Sequence, residues 1–124
     1  MLESADLVAF AASTDLHRSR LFYQDVLGLR LVSQDNFAVV FDANGTTLRV
    51  TAVPEAAGAA YTVLGWNVPD ITVAVRTLAG NGVPFLRYDV MDQDEDGIWT
   101  APGGARIAWF SDPDANVLSL SQLP

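Results

Sequence analysis

Of the 124 residues, Arg49 is the one best placed to hold a ligand. It stands between Thr47 and Thr51 in a run, residues 46–53, where polar and apolar side chains alternate as in a half-buried strand. Alternation puts Thr47, Arg49 and Thr51 on one face and Leu48, Val50 and Ala52 on the other, toward a core. A guanidinium between hydroxyls can grip a carboxylate, phosphate or enolate oxygen through two parallel N–H bonds. It can equally close an internal ion pair with a neighbouring acid, and the spacing leaves both open. A second candidate is the acidic run Asp89, Asp92, Asp94, Glu95 and Asp96, just before Gly97-Ile98-Trp99. Such runs are usually solvated loops. The alternative is a rim that attracts a cation, with the Trp99 indole as a flat surface for an aromatic or positively charged ligand.

Much other chemistry is excluded. There is no cysteine, hence no disulfide, thiolate metal site or thiol nucleophile. The one histidine, His17, falls in the first turn of a predicted helix, where it reads as a solvated surface residue, so no Ser-His-Asp triad can form. No glycine-rich phosphate loop is present, and Gly103-Gly104 reads as a hairpin turn. The carboxylates fall in loops and helix caps, so no acid–base pair is assigned. With 7 basic residues, all arginine, against 15 acidic ones, the net charge of −8 repels a nucleic acid backbone and attracts cationic ligands. No apolar run is long enough to cross a membrane, and the first residues carry acids where a signal peptide carries bases, so the chain is expected to be cytoplasmic and unprocessed.

The elements that must position these residues repeat. A strand over 7–12 leads to Asp15, an N-cap for a helix whose stripe is Leu16, Leu21, Phe22, Val26 and Leu27, and Gly28 ends it. Strands follow at 29–32, 37–41 and 46–53, the last two joined by Asp42-Ala43-Asn44-Gly45. After an Ala-rich linker the order returns: a strand over 61–68, Asp70 as N-cap, a helix over 71–79 ended by Gly80-Asn81-Gly82, then strands over 85–90, 97–100, 105–111 and 117–122. The spacing from cap to helix end is nearly the same in both halves, which marks a diverged duplication of a βαβββ unit, residues 1–58 and 59–124 of a single domain. One helix covers one face of each sheet, and the opposite face is free. On the 61–68 strand that face carries Val63, Gly65 and Asn67; on the last strand it carries Ser119 and Ser121. Trp66 and Trp109 are expected in the core.

The segments Asp15-Leu16, Phe22-Tyr23-Gln24-Asp25-Val26-Leu27-Gly28-Leu29, Val68-Pro69-Asp70-Ile71 and Asp112-Pro113-Asp114-Ala115-Asn116-Val117-Leu118, taken together, resemble the vicinal oxygen chelate superfamily of glyoxalases, bleomycin resistance proteins and extradiol dioxygenases. Ala115 departs from it, standing where the family usually has glycine. The resemblance implies an α+β fold, two βαβββ modules forming a mixed, open half-barrel sheet with one helix per module on the convex face. It also implies that the enzymatic members hold a divalent metal with His, Glu or Gln on four strands. Those positions fall here on Val8, Arg49, Val63 and Ser119, which are not a ligand set for a divalent cation. No metal, cofactor or catalytic residue is therefore expected. The expected function is binding of a small organic ligand, aromatic or cationic, such as an antibiotic, by a homodimer, through Arg49, Thr47, Thr51, Asn67, Trp99, Ser119, Val8 and Val63. The alternative is a metal-independent isomerase, epimerase or lyase that uses Arg49 to hold a carboxylate or enolate.

Overall fold

The computed structural model describes residues 1–124. The chain divides into two compact units, Met1–Ala57 and Gly58–Pro124. In the first, after a short 3₁₀ turn at Leu2–Ser4, β1 is Val8–Ser13, α1 is Leu16–Arg20, β2 is Arg30–Gln34, β3 is Ala38–Ala43 and β4 is Thr46–Ala52. The sheet runs β1-β4-β3-β2, with β1 and β4 parallel and the other pairs antiparallel. Asp15 caps α1, its carboxylate accepting from the Arg18 N–H at 3.1 Å. Ser19, buried on α1, meets buried Ser13 at 2.6 Å between hydroxyl oxygens, so each satisfies the other and ties the helix to the end of β1. The helix then widens over Leu21–Val26, where the Leu27 N–H reaches back five residues to the Phe22 carbonyl, and it ends at Gly28 with φ +76°, a conformation that costs glycine little. This turns Tyr23 fully inward onto Phe41, with ring centroids 5.8 Å apart. Val39, Phe41, Leu48, Val50 and Ala11 complete that core, while Ala52, expected on it, is exposed at the strand's end. Asn44 and Gly45, both at positive φ, close the β3–β4 hairpin as their sequence promises.

In the second unit, β5 is Thr62–Asn67, α2 is Ile71–Gly80, β6 is Trp99–Thr100, β7 is Arg106–Ser111 and β8 is Val117–Gln122. The order β5-β8-β7-β6, with β5 parallel to β8, repeats that of the first sheet. Asp70 caps α2 through the Val73 N–H, and the Gln122 side chain accepts from the Ile71 N–H at 2.9 Å, docking the helix start on β8. Ile71 and Val75 are buried, as are Leu118, Leu120, Ala108 and Phe110. The architecture is thus α+β, two four-stranded mixed sheets with one helical segment each.

The strand expected over residues 85–90 does not form. Only Phe85 bridges to Phe110 and the Leu86 N–H reaches the Trp109 carbonyl. Beyond that the Gln93 amide substitutes for a neighbouring strand: it accepts from the Tyr88 N–H at 2.7 Å and donates to the Leu86 and Gly97 carbonyls at 3.0 and 2.8 Å. Backbone groups satisfied by a side chain need no ladder.

Candidate functional site

Residues paired across a ladder share a face, so the strand registers assign each expected site residue. In the first unit the face away from α1 carries three rows: Val8 opposite Thr47 and Asp42, Phe10 opposite Arg49 and Val40, and Ala12 opposite Thr51 and Ala38. Arg49, Thr51, Phe10, Ala12 and Val53 line an open hollow of about 340 Å³. Val8 and Thr47 share the face but lie one row away. Phe10, 60% exposed, is the aromatic neighbour of Arg49 that the sequence did not single out; alternation along β1 carried the signal, since Phe10 is in phase with Val8.

The two roles left open for Arg49 separate here. It makes no hydrogen bond and no ion pair. The acid that feels its charge is Asp35, whose carboxyl sits below the usual aspartate range chiefly because it accepts from the Phe37 and Ala38 N–H groups; Arg49 contributes last and only through space. Two places along β4, the Thr51 Oγ1 is buried and has no hydrogen-bond partner.

In the second unit the corresponding face carries Gly65 opposite Ser119 and Trp109, then Asn67 opposite Ser121, Ile107 and Trp99. Trp109 therefore does not join the core: it lies on the open face, its ring 6.3 Å from that of Trp99 and tilted by 35°, with Tyr88 edge-on to it at 5.5 Å. Both faces of β7 are apolar in sequence, so periodicity could not assign Trp109; pairing with Ser119 does. Trp66 takes the helix-facing side, in register with Leu120 and Ala108. Asn67 accepts from the Ser121 hydroxyl at 2.6 Å. Ser119 leans over Gly65, and Val63 sits where the β5–β8 register slips, off the regular alternation.

The acidic run is a built loop. Asp94 accepts from the Asp96 and Ile98 N–H groups, Arg87 donates to the Asp94 and Glu95 carbonyls, and Asp96 pairs with Arg76 at 3.1 Å. Asp89, Asp92 and Glu95 face solvent.

The family model described as Glyoxalase/Bleomycin resistance protein/Dioxygenase superfamily matches residues 7–120. The chain belongs to this superfamily. No curated protein matched it in sequence. Among solved structures it is similar to a superfamily member from Sphaerobacter thermophilus, at 24% identity and a TM-score of 0.74, covering 98% of this chain and 99% of that one. It is also similar to a bleomycin resistance determinant encoded on the transposon Tn5, at 19% identity and TM-score 0.74, covering 97% and 98%. A lactoylglutathione lyase from Agrobacterium tumefaciens stands at 17% and 0.74, covering 96% and 93%. Identities this low carry the fold alone.

The residues here do not suit the divalent metal that enzymatic members of this superfamily hold. Val8 and Val63 are hydrocarbon, Arg49 is a fixed cation, and Ser119 is a single neutral hydroxyl. No three His, Asp or Glu side chains gather anywhere in the chain, and His17 is exposed on α1. No helix is long and apolar enough to cross a membrane.

Proposed function

We propose that this protein binds a small aromatic or cationic compound without the help of a metal, on the open sheet faces of a homodimer, and that sequestration of the kind a bleomycin resistance determinant performs is its nearest model. The observation that carries this is the Trp99–Trp109 pair, two indoles on one open face beside the Ser119 and Ser121 hydroxyls. Flat π-faces with a few hydroxyls suit a planar ligand, and a net charge of −8 favours a positive one. Exposed Val8, Phe10, Val32 and Phe37 on the first unit are apolar surface of the kind that self-association covers. Binding is favoured over turnover by Arg49, because no acid or histidine lines its hollow and enolate chemistry needs a base within hydrogen-bond reach.

Titration with metal-free bleomycin, followed by tryptophan emission, tests this. A saturable change that survives chelator, weakens in Trp99→Leu and is lost when Trp109→Leu is added is expected, with Trp66 supplying the unchanged background. No saturable change with bleomycin or with a series of aromatic cations would overturn the ligand class. A stoichiometric divalent metal in the native mass spectrum would overturn metal independence, and a monomer there would overturn the dimer.

A further inference from the structure

The chain contains two Asn-Gly pairs, Asn44-Gly45 and Asn81-Gly82, and both stand exposed in turns. Such a pair carries its own chemistry, because glycine has no side chain to keep its backbone nitrogen away from the asparagine amide. The nitrogen loses its proton to solvent and attacks the side-chain Cγ. The Cγ–Nδ2 bond breaks, ammonia leaves with a proton from water, and a succinimide ring remains. Water then opens the ring at either carbonyl, giving aspartate or an isoaspartate whose main chain runs through the former side chain. Ring closure requires the asparagine ψ to swing and the glycine N–H to be released, so the fold decides how fast each pair reacts.

The two pairs are held differently. At the end of α2 the Asn81 N–H reaches the Thr77 and Leu78 carbonyls, and the Gly82 N–H reaches the Ala79 carbonyl at 3.0 Å. The next residue, Val83, is buried and its N–H is bonded to the Leu78 carbonyl at 3.1 Å. Turning Asn81 therefore opens the helix end and disturbs a buried apolar side chain. Asn44 and Gly45, by contrast, lie beyond the last ladder pair, Ala43 and Thr46. The Gly45 N–H is held by a side chain, the Asp42 carboxylate, at 2.7 Å. The other oxygen of that carboxylate is gripped at 2.8 Å by Arg30, its cross-strand partner on β2. A carboxylate kept below its ordinary range is far too weak a base to take a peptide proton, so this contact holds the nitrogen back and does not activate it.

We propose that Asn44 is a site of spontaneous deamidation whose rate is set by the Arg30–Asp42–Gly45 clamp, and that Asn81 is protected by the end of α2. A residue of the edge strand β2 thereby governs chemistry at the tip of the next hairpin. The product adds one negative charge to a chain at −8, close to Asp42, which shares the first unit's open face with Val8 and Thr47. As isoaspartate it also inserts a methylene into a turn built on two positive φ angles, +52° and +93°.

The test is incubation of the full chain in mildly alkaline buffer, followed over time by peptide mass mapping and by isoaspartyl methyltransferase labelling. In the folded protein conversion is expected at Asn44 and not at Asn81; in urea both should convert, which shows that both pairs are competent. Asp42→Ala, which removes the clamp, should speed Asn44 by about two- to tenfold, the usual worth of one hydrogen bond, and leave Asn81 unchanged. Arg30→Gln, which leaves Asp42 to hold Gly45 alone, should fall between. The dispersion of each variant's amide spectrum shows that it is folded. An Asn44 rate in the folded chain no higher than that of Asn81 overturns the site, and an unchanged Asn44 rate in Asp42→Ala overturns the clamp. No ligand enters these readouts, so their outcome is independent of the bleomycin titration.

Discussion

A methyl group added at Gly65 probes the register on which the second unit's open face rests. A Cβ built there falls 2.6 Å from the Ser119 Oγ, closer than side-chain carbons come, while the next neighbours, the Ser119 carbonyl oxygen and Cβ, stand at 3.7 and 4.0 Å, ordinary contact. Only the serine hydroxyl has to move. Pushing it out of its well costs about 0.5–1.5 kcal/mol. Replacing glycine by alanine inside a strand returns about 0.5–1 kcal/mol of chain entropy. In the otherwise unchanged chain the two nearly cancel, so Gly65→Ala is expected to change stability by less than about 1 kcal/mol. In a Ser119→Ala background the clash is gone and the same substitution should stabilise by about 0.5–1 kcal/mol. The coupling of about 1 kcal/mol appears as a difference of about 3–5 °C between the two melting shifts for a chain of this size. The measurement is thermal unfolding of the four proteins of the cycle. Identical effects of Gly65→Ala in both backgrounds would mean that Ser119 does not lean over Gly65, and the row Gly65, Ser119, Trp109 would be misassigned.

The turn before β8 places Ala115 at φ +62°, a conformation costing an L-residue about 1–2 kcal/mol. Ala115→Gly should therefore stabilise by about 0.5–1 kcal/mol net of glycine's greater chain entropy, read as a rise in urea midpoint at constant slope; a fall in midpoint would contradict the strain. Asp42 accepts from Arg30 at 2.8 Å and from the Gly45 N–H, and the Arg30 hydrogen bond foremost holds its carboxyl below the ordinary range. A depressed folded value means that this stabilisation is complete above the unfolded aspartate value near pH 3.9 and is lost as pH falls through the lower folded one. In Arg30→Gln the Asp42 carboxyl titration should move up toward the ordinary range, and an unmoved midpoint would show that Arg30 is not its cause.

The helix starts and tight turns were legible because their partners are close in sequence. Asp15 and Asp70 each bond an N–H three residues on, and Asn44-Gly45 fixes its hairpin through its own dihedral preferences. The duplication was legible for the same reason, since caps and helix ends recur at nearly constant spacing. The candidate site was legible in part. Arg49, Thr51 and Ser119 stand on the open faces, as alternation predicts, and Trp99, read from sequence only as a flat surface beside the acidic run, joins them through its pairing with Ile107. Phe10 was passed over although alternation along β1 sets it in phase with Val8, and Trp109 was assigned to the core because both faces of β7 are apolar in sequence, so period could not place it.

What only the tertiary structure decided lies between distant residues. Trp109 faces outward because β7 pairs with β8 in one register, and Val63 loses its place because the β5–β8 ladder slips beside it. Residues 85–90 form no ladder beyond the Phe85 bridge, and the Gln93 side chain bonds the Leu86 and Tyr88 backbone in its place. Arg49 meets no acid at ion-pair distance, and Asp35 feels its charge only through space. Local sequence determines an element when its hydrogen bonds close within a few residues. Which face a side chain joins, and whether a charge stays unpaired, depends on groups tens of residues away, whose meeting the packed chain alone specifies.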